Sequence, residues 1–204
     1  FSTQNGKINH LQTVLQSKPL RFIKDIKQLD LSSYDVVICD YEPITAWAAR
    51  QQNKKTIGIS HQYAFQYHIP RAGTDPVSEA VMRNFAPVDI GIGLHWHHFD
   101  QPILPPVIET PIITQQVQRN KVVIYLPFED QQHVMKLLSP FKEFEFFIYS
   151  PENVASPYAH IHCKPLSLHG FQKDLSDCTG IICNAGFELA SESLQLGKKI
   201  LVKP

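Results

Sequence analysis

The chain has 204 residues, of which 43% are apolar and 10% aromatic, a composition that suits one or two globular domains. Its 19 basic and 19 acidic residues cancel, so composition provides no large positive field and disfavours nucleic acid as a partner. No apolar run reaches the length of about 18 residues that a membrane-spanning helix needs. The four cysteines form no CxxC pair and are expected to be buried thiols of a protein in the reducing cytoplasm.

The first half of the chain has the pattern of alternating helices and strands. Apolar positions between residues 11 and 30 predict two helices separated by Pro19, because proline breaks a helix interior but suits a helix start. Further along, the pattern predicts strands at 35–39, 56–60 and 88–94, helices at 44–52 and 75–85, and a loop at 61–74. Strand, helix and strand in this order indicate a parallel βαβ crossover.

Residues 101–120 are rich in proline and lack periodicity, which predicts a crossing between two domains. Beyond it, the pattern predicts strands at 121–125, 144–149, 160–163, 180–183 and 199–202, and helices at 130–138, 170–175 and 186–196. We therefore expect an α/β protein with two Rossmann-like domains at 1–105 and 121–204, joined by a linker at 106–120. The chain starts with Phe1 rather than methionine and ends at Pro204 directly after a strand-like run, so both domains are expected to be incomplete.

A turn of small residues lies between the predicted strand 180–183 and the helix that follows it. The turn consists of Asn184, Ala185, Gly186 and Phe187. Phosphates bind at such turns, because backbone amides and the helix dipole face outward there. Glu188 and Glu192 share one stripe of the helix, and a carboxylate accepts hydrogen bonds from ribose hydroxyls. The pattern predicts a nucleotide site, although ordinary helix capping accounts for the same residues, and the chain has neither a GxGxxG nor a Walker A motif.

The segment from Asn184 to Pro204 resembles the donor-site signature of glycosyltransferases with the two-Rossmann (GT-B) fold. It has the small-residue turn, a helix with Ser and Glu, and Leu-Gly-Lys before an apolar strand. Tyr34–Pro43, Ser60–Gln62 and Val123–Glu129 are similar to a largely uncharacterised bacterial and archaeal branch of that group. The branch is distantly related to the transferase that adds N-acetylglucosamine during peptidoglycan precursor synthesis.

The resemblance implies transfer of a sugar from a nucleotide-diphosphate donor, uridine being favoured, to an acceptor that is lipid-linked or a saccharide. It implies an acceptor-side domain at 1–105, a donor-side domain at 121–204, no cofactor, and a cytoplasmic protein able to associate with the inner face of the membrane. Glu192 matches the family's ribose-binding glutamate, Ala185 to Phe187 match the diphosphate turn, and Ser191 matches a small polar residue beside it. The family's Gly-rich first loop, which often supplies the catalytic base, has no counterpart here, and neither does its Gln-rich last helix.

Further candidates follow predicted strands. His61 could deprotonate an acceptor hydroxyl from the cleft between the domains, and Asp40 and Glu42 could orient the acceptor or act as base. A histidine bonded to backbone and two helix-capping carboxylates are the alternatives. Phe128 could contact the donor phosphate or sugar, or instead plug the core. By analogy alone, His169 precedes a helix whose loop could wrap the nucleobase.

Three histidines, His95, His97 and His98, raise the question of a metal site. They lack a clear carboxylate or cysteine partner, so we expect an aromatic surface between the domains and no metal. Two other functions stay open: a sugar-nucleotide epimerase on the same scaffold, and a non-catalytic domain that binds a nucleotide sugar or a protein partner.

Overall fold

A computed structural model describes residues 3–4, 7–8, 18–71, 73, 76–109, 116–152 and 154–203. They fall into two compact units, one within Ser17–Val107 and the other comprising Ile108–Pro204 and the N-terminal segment. That segment contributes a two-stranded antiparallel sheet of β1 (Thr3–Gln4) and β2 (Lys7–Ile8), which the sequence pattern does not predict. The first of the two helices predicted between residues 11 and 30 lies mostly outside the described residues.

The unit within Ser17–Val107 contains a four-stranded parallel sheet flanked by helices. Its strands, in spatial order, are β3 (Val36–Cys39), β4 (Lys55–Ser60), β5 (Ile90–Leu94) and β6 (Ile103–Leu104). Its α-helices are α1 (Pro19–Gln28), α2 (Pro43–Gln51) and α3 (Pro76–Phe85). Each begins at a proline, whose fixed φ and missing N–H suit the first helical position. α1 and α2 pack with Val37 in one apolar cluster.

A 3-10 helix, His61–Gln66, replaces the loop that the sequence pattern predicts from residue 61. It lies directly against β4 and β5 because three strand positions carry no side chain: Gly58, Gly91 and Gly93. A Cβ on Gly93 would approach the Cα of Ala64 to 2.6 Å, so only glycine permits this close contact. The helix begins immediately after β4 and places His61 at the carboxyl end of that strand.

The second unit contains a five-stranded parallel sheet. Its strands, in spatial order, are β11 (Lys199–Lys203), β10 (Cys178–Asn184), β7 (Gln118–Tyr125), β8 (Glu145–Ser150) and β9 (Ile161–Pro165). Its helices are α4 (Gln131–Leu138), α5 (Leu168–Asp177) and α6 (Phe187–Gln195). The chain passes from β7 to β8 and β9 on one side, then continues on the other side with β10 and β11. The order therefore reverses between β7 and β10, and ligands of such sheets bind beyond the carboxyl ends at that point.

Successive residues of the strands pack on opposite faces of this sheet. One face packs Ile124 of β7 and Phe146 of β8 against Met135 of α4. The other packs Val123 of β7 and Ile181 of β10 against Leu175 of α5. Strands buried on both faces read as continuous apolar runs, as observed here. Three of the four cysteines, Cys39, Cys178 and Cys183, are buried free thiols, as predicted, and burial raises their pKa values.

A buried ionic cluster joins β7 to α5. The Lys121 side chain is 3% exposed, and its Nζ lies 2.8 Å from Asp174 and in contact with Asp177. The Tyr149 hydroxyl donates to Asp174 at 2.6 Å. Burial alone would lower the pKa of Lys121, but the hydrogen bonds and charges of the two aspartates raise it. Lys121 lies in the first half of β7, away from the carboxyl end, so this cluster stabilises the fold.

Candidate functional site

Three strand ends meet at the point where the order of the five-stranded sheet reverses. Lys203, the last residue of β11, pairs with Glu129 in the loop after β7, with an Nζ–Oε1 distance of 2.5 Å. Asn184, the last residue of β10, approaches the same Glu129 oxygen through Nδ2 at 3.5 Å. The Ala185 amide donates to the carbonyl of Lys203 at 3.1 Å. Polar and charged groups from both sides of the reversal are thus close together.

The turn between β10 and α6 presents two exposed residues, Ala185 and Gly186, just before the helix. Gly186 is the N-cap residue of α6 and, as a glycine, has no side chain to cap the helix. Apart from its two chain neighbours, none of the described residues has a heavy atom within 4 Å of the position that a Cβ on Gly186 would take. The Asn184 Oδ1 atom is buried and has no hydrogen-bond partner in the described part of the chain. The turn therefore combines the positive end of a helix dipole, room for a ligand and an unsatisfied acceptor.

The carboxylates of α6 form a second part of the site. Glu188 is exposed and Glu192 is half-buried. Burial raises the pKa of Glu192, and the negative charges of Glu188 and Glu109 raise it further. Glu109 also accepts a hydrogen bond from Gln172 of α5 at 2.9 Å. Such a surface favours a ligand that donates hydrogen bonds, as hydroxyl groups do.

The other residues predicted for the donor site differ in their exposure and in their hydrogen bonds. Ser191 is buried, and its hydroxyl donates to the carbonyl of Phe187 at 2.7 Å, a hydrogen bond within α6. Phe128 is 53% exposed in the loop after β7, which excludes the core-plug alternative. His169 is exposed in the first turn of α5, where Ser167 caps the helix by accepting the Gly170 amide at 3.1 Å. Phe128 and His169 both follow strands at the carboxyl edge of the same sheet.

In the unit within Ser17–Val107, the two carboxylates predicted as site residues follow β3. Glu42 is the N-cap of α2 and accepts the amides of Ile44 at 2.9 Å and Thr45 at 2.7 Å. Burial would raise the pKa of Glu42, but these hydrogen bonds lower it. A carboxylate with a lowered pKa is a weak base, so the contacts of Glu42 are those of a helix cap. Asp40 is exposed in the turn just before it.

His61 has a defined orientation at the end of β4. Its Nδ1 lies 2.9 Å from the carbonyl oxygen of Leu94, the last residue of the neighbouring strand β5. Because a carbonyl oxygen only accepts hydrogen bonds, Nδ1 carries the proton in neutral His61. Nε2 then retains its lone pair, which is the form that a general base requires.

The histidines after β5 form a tight aromatic turn. Nδ1 of His95, His97 and His98 each accepts a backbone amide two residues further along the chain, at 3.3, 2.8 and 3.0 Å. The ring of His95 also packs against Phe99, with centroids 5.1 Å apart. Within the described ranges, no group of three or more metal-ligating side chains is placed to hold an ion. A location of this turn between the domains stays a prediction.

Sequence reasoning missed Lys203, Glu109 and Gln172. Lys203 could have been predicted as a site residue, because it is a polar residue at a strand end. Glu109 falls in the segment predicted as a linker, and Gln172 lies inside a helix, so only the folded structure brings them together. The described residues include no helix with the length and apolarity to cross a membrane.

Several solved structures share this fold. The chain aligns with the glycosyltransferase SnogD from Streptomyces nogalater at 12% identity and a TM-score of 0.55, covering 97% of this chain and 66% of that one. It aligns with the spinosyn forosaminyltransferase SpnP at 12% identity and a TM-score of 0.54, covering 97% of this chain and 65% of that one. It aligns with S. aureus MnaA, solved with UDP, at 10% identity and a TM-score of 0.58, covering 96% of this chain and 64% of that one. The chain thus spans just under two thirds of the length of these proteins.

These similarities and the two parallel sheets confirm the predicted α/β fold of the GT-B type. No protein of curated function matches the chain in sequence. The sequence model described as glycosyl transferase family 1 matches residues 4–204, which is nearly the whole chain. The chain therefore belongs to glycosyl transferase family 1.

Proposed function

We propose that the protein transfers a sugar from a nucleotide-diphosphate donor to an acceptor hydroxyl. The observation that carries the proposal is the exposed turn before α6 at the reversal of strand order, followed on the same helix by the half-buried carboxylate Glu192. Membership of glycosyl transferase family 1 supports this chemistry. UDP bound to the structurally similar MnaA supports a uridine donor.

The diphosphate would bind at the Asn184–Phe187 turn. The amides and the dipole of α6 favour negative charge there, and Lys203 could exchange its contact with Glu129 for a phosphate oxygen. Preorganised positive groups around the leaving diphosphate stabilise the negative charge that develops on it. This electrostatic stabilisation is usually the largest contribution to such catalysis.

The ribose would bind to Glu192. Glu192 lies five residues beyond Phe187, which corresponds to about 7.5 Å along the helix. A carboxylate repels a phosphate but accepts hydrogen bonds from a diol, so this arrangement orients the nucleotide with its phosphates at the helix start. Phe128 and His169 would contact the sugar and the base, respectively.

His61 would act as the base that activates the acceptor, because its Nδ1–H contact with Leu94 leaves Nε2 as the basic nitrogen. Asp40 could orient the acceptor. Residues 1–105 would form the acceptor-side domain, 106–120 the linker and 121–204 the donor-side domain. A lipid-linked or saccharide acceptor, and a cytoplasmic location at the inner face of the membrane, are proposed from the family resemblance.

Calorimetric titration with UDP, UDP-N-acetylglucosamine, GDP and ATP tests the donor site. Removing the carboxylate in Glu192→Ala should cost about 1.5–3 kcal/mol, or at least tenfold in Kd for the uridine nucleotides. Gln195→Ala is the matched control, because Gln195 is exposed in the last turn of the same helix. The proposal fails if no nucleotide binds, or if Glu192→Ala binds UDP as tightly as the control does.

Product analysis separates the remaining alternatives for a protein that binds UDP-sugars. A transferase releases free UDP, whereas an epimerase returns an altered sugar nucleotide. A protein that binds the nucleotide sugar and converts it into neither product would be a binding domain.

A further inference from the structure

Two histidines lie next to each other at the carboxyl ends of adjacent parallel strands. His61 follows β4 and His95 follows β5, and their ring centroids are 5.4 Å apart. Both side chains are half-buried. Aromatic rings flank the pair, with Phe65 at 5.2 Å from His61 and Phe99 at 5.1 Å from His95. The two imidazoles therefore share one partly apolar environment.

The hydrogen bonds of the two rings require opposite tautomers. Nδ1 of His61 faces the carbonyl oxygen of Leu94 at 2.9 Å, so its proton is on Nδ1 and its lone pair on Nε2. Nδ1 of His95 accepts the backbone amide of His97 at 3.3 Å, so neutral His95 carries its proton on Nε2. One ring thus offers an acceptor and the other a donor. A hydroxyl group, which donates one hydrogen bond and accepts others, is complementary to such a pair.

The surroundings keep His95 neutral. Burial lowers the pKa of His95, and the charges of His61 on the 3-10 helix and His97 in the same turn lower it further. The other rings packed against His95, Trp96 and Phe99, are uncharged. Neutral His95 therefore persists near pH 7 and retains its Nε2–H donor.

We propose that His61 and His95 together bind the acceptor hydroxyl, with His61 as base and His95 as hydrogen-bond donor to the hydroxyl oxygen. This inference rests on the proposed function, because it supplies the acceptor half of the same transfer. The hydroxyl proton passes to Nε2 of His61, and an oxygen lone pair forms the bond to the anomeric carbon. The bond from that carbon to the diphosphate oxygen breaks, and its electron pair leaves with the nucleotide diphosphate. The hydrogen bond from His95 holds the oxygen in place and remains unbroken.

Nuclear magnetic resonance of the chain with ¹⁵N-labelled histidine tests the pair without any substrate. Long-range proton–nitrogen correlations at pH 7 should show His61 protonated at Nδ1 and His95 protonated at Nε2. In His61→Gln the pKa of His95 should rise, because glutamine cannot become protonated and so no longer opposes the protonation of His95. The same tautomer in both residues, or a pKa of His95 that does not change in His61→Gln, would overturn the inference.

Release of UDP from UDP-N-acetylglucosamine, with water as the acceptor hydroxyl, tests the pair kinetically. His61→Gln should lower kcat at least 100-fold, and His95→Leu about tenfold, with little change in KM for the donor. His95→Gln keeps an N–H donor near the position of Nε2 and should recover most of the loss. His98→Gln is the matched control, since His98 is exposed in the same turn. Equal rates for His95→Leu and the control, or for His95→Leu and His95→Gln, would overturn the inference.

The two proposals fail in different ways. If UDP binds and Glu192→Ala weakens it, the donor site holds, and histidine variants without effect overturn only the pair. If no nucleotide binds, the proposed function falls and the pair falls with it. For a protein that binds UDP but does not hydrolyse the sugar nucleotide, the tautomers and the His95 titration decide.

Discussion

Replacing Gly186 by alanine separates a ligand-binding turn from a simple helix cap. Gly186 has φ −79° and ψ 141°, values that alanine adopts readily. Among the described residues other than its two chain neighbours, an added Cβ meets no heavy atom within 4 Å. Alanine is a poorer N-cap than glycine, but it also reduces the entropy of the unfolded chain. Because these effects oppose each other, we expect the free energy of unfolding to change by no more than about 0.5 kcal/mol.

Binding should respond differently from stability. The added methyl group of Gly186→Ala would occupy the space through which a phosphate reaches the amides at the start of α6. Loss of one hydrogen bond to a charged phosphate costs about 1.5–3 kcal/mol. This corresponds to an increase of about 10- to 100-fold in the Kd for UDP. Uridine has no phosphate to place at the turn, so its affinity should change little.

The assay is calorimetric titration of the wild type and Gly186→Ala with UDP and with uridine, together with thermal unfolding of both proteins. A variant that melts with the wild type but binds UDP at least tenfold more weakly supports the diphosphate site. A variant that melts normally and binds UDP as tightly as the wild type would show that the turn only caps α6.

Three further predictions concern stability. Lys121→Met should destabilise the protein by about 3–5 kcal/mol in urea unfolding, because it leaves two largely buried aspartates without their cation. A cost below about 1 kcal/mol would contradict the role of the cluster. Gly93→Ala should cost about 1–3 kcal/mol, because the methyl group collides with the backbone of Ala64; unchanged stability would show that the 3-10 helix shifts freely. Glu192→Gln should be more stable than the wild type at pH 7, because burial and neighbouring charges raise the pKa of Glu192 and so disfavour its charged form in the fold. That advantage should shrink as the pH falls through the raised pKa of Glu192 and vanish below about pH 4, where the wild-type side chain is protonated in both states; a pH-independent difference would exclude the electrostatic cause.

The elements of the second half are the best predicted. The pattern places a strand at 180–183 and a helix at 186–196, and the structure has β10 at Cys178–Asn184 and α6 at Phe187–Gln195. Two local signals are responsible. The strand is an uninterrupted apolar run buried on both faces, and Gly197 adopts φ 65° just beyond the helix, a conformation that glycine favours.

The elements that were missed depend on distant residues. The 3-10 helix His61–Gln66 can pack on β4 and β5 because these strands have glycines at the positions of contact. β5 lies about thirty residues further along the chain. β7 begins at Gln118, within the predicted linker. Its first three residues were not predicted as strand because they are polar and exposed and therefore lack an apolar pattern. In both cases the paired strand, rather than the local sequence, determines the structure.

Strand order explains which parts of the two candidate sites can be read from the sequence. β4 and β5 follow each other along the chain and pair directly, so His61 and His95 become neighbours once a βαβ crossover is recognised. β7 and β10 also pair, but two strands separate them in sequence, and alternation of strands and helices is compatible with several orders. The contact of Glu129 with Asn184 and Lys203 therefore cannot be derived from the pattern. Asn184 and Lys203 each directly follow a predicted strand, but Glu129 lies in the loop after a third one. A nucleotide bound at the reversal of strand order would contact the loop after β7 and the turn after β10. Variants at Glu129 and at Gly186 should therefore affect binding of the same ligand.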